Sequence, residues 1–147
     1  MTDYASLIER LEKADGPDRE IDAELAIVGL IDATDARLPS AERDSHYPQS
    51  FVPGQYWTGH AWRVADEYTS SLDAALGLVE RKLPGWVWKL STDGDASAPD
   101  HKAHATLASE VWADPGAGMG VVTYGHAPTP ALAVCLALLR ALSEQRA

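Results

Sequence analysis

Cysteine is nearly absent: Cys135 stands alone among 147 residues. No internal disulfide can form, and a reducing cytosol is the expected setting. The opening Met1-Thr2-Asp3 brings no basic stretch followed by an apolar one, so a secretory signal is not expected. Long apolar runs are scarce as well. The longest, Pro130 to Leu139, stops at Arg140, about half the roughly 20 residues needed to cross a bilayer. Positive charge is in short supply: 12 Lys and Arg against 22 Asp and Glu leave a net charge of -10. Such a chain repels phosphate backbones and anionic lipid at long range, so neither duplex nucleic acid nor a membrane is an expected partner. With 46% hydrophobic and 23% charged residues, what is present is the composition of one globular domain that buries a core.

The acid is front-loaded, with seven of the ten net negative charges in residues 1–44. Tyr4, Leu7, Ile8 and Leu11 recur at helical spacing, Gly16-Pro17 interrupts, and Ile21, Leu25, Val28 and Ile31 resume the pattern. This predicts a helical hairpin over residues 1–32, with Asp18 as N-cap of the second helix and Glu20 in its first turn. Most of the acid then lies on solvated helix faces. Residues 33–67 have no periodicity and carry Pro39, Pro48, Pro53, Gly54 and Gly59, which predicts a long loop. Tyr47, Phe51, Tyr56, Trp57 and Trp62 fall within it, and rings are costly to leave in water, so the loop is expected to pack on something.

Residues 68–147 read as helix, three strands, helix. The helix begins near Thr69 or Ser70, with Asp73 completing a capping-box-like spacing, and ends at Pro84-Gly85. Trp86 to Leu90 alternates as a strand and meets the turn residues Asp93-Gly94-Asp95. A second strand spans roughly 101–112, with Ala103, Ala105, Leu107 and Val111 on one face and His104, Thr106, Glu110 and Trp112 on the other. After Pro115, Gly116 and Gly118, Val121 to Tyr124 forms a third. Thr129 as N-cap and Pro130 at the first helical position open a closing, core helix. The fold class is therefore α+β, a three-stranded antiparallel sheet sandwiched between helices, with an N-terminal helical hairpin and no linker to a second domain.

Catalytic motifs are missing. No Gly-x-Ser-x-Gly elbow occurs, and Cys135 sits inside an apolar helix, where a thiol behaves as a small hydrophobe. Gly116-Ala117-Gly118-Met119-Gly120 precedes a strand rather than a helix, the reverse of a dinucleotide fingerprint. Asp93, Asp95, Asp100, His101 and His104 crowd one stretch, but in no recognised ligand spacing, and His101 and His104 fall on opposite faces of a strand. A metal-assisted phosphodiesterase would require them to converge. No cofactor or metal is implied, and the chain is expected not to be an enzyme.

Helix, three strands, helix is also the order of a double-stranded-RNA-binding domain. That similarity is topological only, because Thr129-Pro130-Ala131-Leu132 puts no Lys or Arg at the start of the closing helix, where such domains grip phosphate. A more specific likeness rests on three segments: Tyr68-Thr69-Ser70-Ser71-Leu72-Asp73-Ala74-Ala75-Leu76, Pro84-Gly85-Trp86-Val87-Trp88, and the run from Ala127-Pro128-Thr129-Pro130 through Leu139-Arg140-Ala141. Together they resemble the phage ABA sandwich domain over about half of the chain, from Tyr68 onward. The resemblance implies helix, sheet, helix layering and a phage or prophage origin, and brings no catalytic motif. By analogy with small phage proteins that counter host defences, it leads to an anti-defence protein that sequesters a nucleotide-like signal. The residues suited to that task are Tyr56, Trp57, His60 and Trp62 as a stacking platform, Arg63 as the nearest cation, and Thr129, where a helix N-terminus offers N–H groups to an anion. The plainer alternative has the same rings capping a sheet face or a helix pair. A second function is an inhibitor or adaptor that docks on a basic host or phage protein through the loop or through Glu20, Asp22 and Glu24 of the acidic hairpin. A homo-oligomer is also left open.

Overall fold

The computed structural model describes residues 3–30, 36, 38, 54–58, 61–92, 102–109 and 120–146, with side chains through Glu144. Helix α1 spans Tyr4–Lys13, and the Asp3 side chain accepts from the Ala5 N–H at its start. Its apolar residues at helical spacing turn Leu7 and Leu11 inward. Helix α2, Arg19–Val28, opens as expected at Asp18, whose Oδ1 accepts from the N–H groups of Glu20 and Ile21 at 2.9 and 3.1 Å. The N-terminal helical hairpin thus forms.

Residues 54–64 depart from the expected loop. Strands β1, Gln55–Trp57, and β2, Trp62–Val64, pair antiparallel in a hairpin. The Thr58 N–H donates to the Ala61 carbonyl at 3.0 Å, and the Ala61 N–H donates to the Thr58 hydroxyl at 3.1 Å. Three residues per strand are too few for a period-two pattern to show in the sequence, which is why the segment reads as irregular.

Helix α3 covers Leu72–Lys82, and its cap is Ser71, which accepts from the Ala74 N–H at 3.2 Å, rather than Thr69 or Ser70. The Thr69 hydroxyl is engaged elsewhere, donating to Asp22 Oδ1 at 2.7 Å, so the helix starts at the next available hydroxyl beyond Ser70. Strands β3, Val87–Thr92, β4, Ala103–Ala108, and β5, Val122–Ala127, follow in a β3-β4-β5 antiparallel meander. The stretch expected to extend the central strand through Glu110, Val111 and Trp112 lies outside the described residues, as do His101 and residues 110–119. Helix α4, Pro130–Arg146, closes the chain.

The α+β class stands. From Ala131 to Leu139 every residue of α4 is buried, as expected of a helix apolar on all sides. It lies on β4 and β5 with one side and meets α1 and α3 with others. Alternation along the strands turns Ala103, Ala105, Leu107, Thr123, Gly125 and Ala127 toward α4. Contact there is close: a Cβ placed on Gly125 would lie 2.0 Å from the Ala133 carbonyl oxygen, so glycine is what lets the helix reach the sheet. Thr123 closes the same seam, its hydroxyl donating to the Ala137 carbonyl at 2.9 Å. On the opposite face of the sheet Lys89, Tyr124 and His126 are exposed.

Candidate functional site

The Trp57–Trp62 hairpin is anchored by residues far away in sequence. β1 packs against α2. Arg19, in the first turn of α2, donates to the Ala65 carbonyl at 2.7 Å, to the Asp66 carbonyl at 3.3 Å and to Asp22 Oδ2 at 2.8 Å. Its guanidinium occupies the space above Gly54, where an added Cβ would fall 2.5 Å from Nη2. Gly54 has φ of 94°, a left-handed conformation that glycine adopts without strain. The Ala65 N–H donates to the Gly54 carbonyl at 2.8 Å and closes the base of the hairpin.

Register then decides which side chains meet. Trp57 faces Trp62 across the strands, with ring centroids 5.1 Å apart and planes at 61°, an edge-to-face pair. Both indoles are half-buried, and the Trp62 Nε1–H, shielded from water, finds no acceptor among the described residues. Gln55 and Val64 share their face, and Val64 is 55% exposed.

The same alternation separates the other expected site residues. Tyr56 and Arg63 are directly opposite each other on the reverse face. Tyr56 is 8% exposed and belongs to the core, so it supplies packing rather than a free stacking surface. Arg63 is exposed, but it does not share the indole face. Thr129 caps α4: its hydroxyl accepts from the Leu132 N–H at 3.3 Å and its carbonyl from the Ala133 N–H at 3.0 Å. Pro130 has no N–H, so the first turn keeps few donors for an anion. His60 lies outside the described residues, as do His46, Tyr47 and Phe51. Of the residues read from the sequence, the structure brings Trp57 and Trp62 together and sets Tyr56 and Arg63 apart from them.

The acidic hairpin is less free than its composition implies. Asp22 is fully buried against Arg19 and Thr69. Glu24 pairs with Arg10, and burial nevertheless holds its carboxyl above the usual carboxylate range. Glu20 approaches the same Arg10 at 3.5 Å. Of the three acids offered as a docking face, one is a core residue and two are shared with a single arginine. Cys135 is no nucleophile either: its thiol donates to the Tyr68 carbonyl at 3.4 Å, and burial pushes its pKa well up.

Among the described residues no group of three His, Cys, Asp or Glu is placed to hold a metal ion. Asp93, Asp95, Asp100 and His101 are outside the description, whereas His104 lies on β4 directly across from His126 on β5, ring centroids 4.2 Å apart. That pairing escaped the sequence reading because it depends on strand register. A search for alternation matched between neighbouring strands is the one signal that would have exposed it.

Comparison with models of known families, with curated proteins and with solved structures finds no match to this chain, so the likeness to the phage ABA sandwich domain rests on the quoted residues alone.

Proposed function

We propose that the chain is a non-catalytic binding protein that takes a flat, nucleotide-like ring at the Trp57–Trp62 hairpin, and that it serves a phage or prophage as an anti-defence protein by sequestering such a signal. The observation that carries the reading is the cross-strand indole pair itself, half-buried on a hairpin that Arg19 ties to α2. Edge-to-face packing uses one indole face and leaves the pair a ring surface for a base, an interaction worth about 1–3 kcal/mol per stacked base. Recognition is then chiefly of the base. Arg63, on the reverse face, acts on a phosphate only at longer range, and Thr129 serves the helix it caps. The phage setting comes from the sequence resemblance.

Calorimetry of the full chain against cyclic and linear nucleotides tests this. Saturable heat from at least one of them is expected, and a silent panel overturns the reading. Exposed Val64 beside the indoles favours a second function, an adaptor or inhibitor that presents this apolar strip to a basic host or phage protein. In that case the panel stays silent.

A further inference from the structure

We propose that His104 and His126 form a two-imidazole site for a divalent transition-metal ion of the zinc, nickel or copper kind, on the face of the β3-β4-β5 sheet that no described helix covers. The two residues are register partners on adjacent antiparallel strands, so both side chains leave the sheet on one face. Their ring centroids are 4.2 Å apart with planes at 70°. His104 is half-buried on the central strand, whereas His126 is exposed on β5. In the proposed site the His126 ring would turn about its own torsions so that one nitrogen from each imidazole faces a common ion.

The ligand chemistry fits borderline divalent ions, for which neutral imidazole is a preferred donor. Two donors fixed on rigid strands chelate at a lower ordering cost than two on a flexible loop. Ser91 lies opposite His104 on β3, and Thr106 and Tyr124 are the next residues along the same face. Lys89, opposite Thr106, is a charged side chain of this face, and Lys102, two residues before His104, is exposed just ahead of β4. With no third His, Cys, Asp or Glu grouped with the pair among the described residues, water completes the coordination sphere. The ion is therefore exchangeable, bound more weakly than a closed four-ligand structural zinc, and it keeps open positions for a donor from solution. It also clamps β4 to β5 and stabilises the native state by linkage.

The test uses the full, untagged chain, stripped of metal and titrated with Zn2+ and with Ni2+ by calorimetry, with thermal melts run in parallel. One equivalent should bind with micromolar affinity and raise Tm. His104→Asn and His126→Asn should each weaken binding at least tenfold and abolish the rise in Tm. His126 is exposed, so its variant is expected to stay folded by far-UV circular dichroism and to remain informative should His104→Asn lose stability. No binding by the native chain, or binding that persists unchanged in either variant, overturns the proposal. The nucleotide reading stands or falls separately, because it involves neither histidine.

Discussion

Thr69 donates twice to one oxygen of Asp22: its backbone N–H and its hydroxyl both lie 2.7 Å from Oδ1. The other carboxylate oxygen accepts from Arg19, which reaches on to Ala65 and Asp66. One fully buried acid thereby joins α2 to the chain between the Trp57–Trp62 hairpin and α3, and the placement of the candidate site depends on it.

Asp22→Ala strands the Thr69 N–H and leaves Arg19 without its carboxylate. A loss of about 3–5 kcal/mol is expected, as when one partner of a buried charged pair is removed. Urea unfolding should show a lower midpoint, and Thr69→Val in the Asp22→Ala background should cost far less than it does alone, because the two changes remove shared bonds.

Two glycines should respond in opposite directions. At Gly125 an added methyl would sit 2.0 Å from the Ala133 carbonyl oxygen, backbone that cannot move aside without separating α4 from the sheet. Gly125→Ala is expected to cost several kcal/mol, about the scale of overpacking a tight core or more. Gly77, exposed in the interior of α3, has nothing within 4 Å of an added Cβ. Gly77→Ala should add about 0.5–1 kcal/mol through helix propensity. Thermal melts of the two variants check both signs.

Alkaline stability should report on Cys135. Burial, with Asp22 nearby, raises the native thiol above its ordinary value of 9.0. The unfolded chain therefore releases its thiol proton first as the pH rises. The stabilisation is complete below the unfolded value and is lost as the pH climbs from there toward the native one, at up to about 1.4 kcal/mol per pH unit. Cys135→Ala should flatten the onset of that decline. Burial also raises the Tyr68 phenol from 10.0, so a slope beginning higher should remain. In the folded chain a thiol reagent should modify Cys135 only at the rate of unfolding.

Much of the fold was legible because its signals are local. Helical spacing in Leu7 and Leu11, the Asp18 cap, the Thr129-Pro130 start and the alternation of Ala103, Ala105 and Leu107 each occupy a few consecutive residues. What was hidden is long-range. Thr69 resembles a helix cap until Asp22, 47 residues away, takes its hydroxyl. The rings of the 54–64 segment look equivalent until a hairpin register sends Tyr56 into the core and Trp57 and Trp62 to the other face. Glu20, Asp22 and Glu24 look like an acidic face until Arg10 and Arg19 are found among them.

The indole pair offers the most direct test of the account. Intrinsic fluorescence of the full chain should change saturably as the nucleotide that gives heat by calorimetry is added. Trp57→Leu, checked for folding by far-UV circular dichroism, should abolish that change and weaken binding at least tenfold, about 1.4 kcal/mol or more. Undiminished nucleotide affinity in the folded Trp57→Leu protein would contradict a ring-binding hairpin.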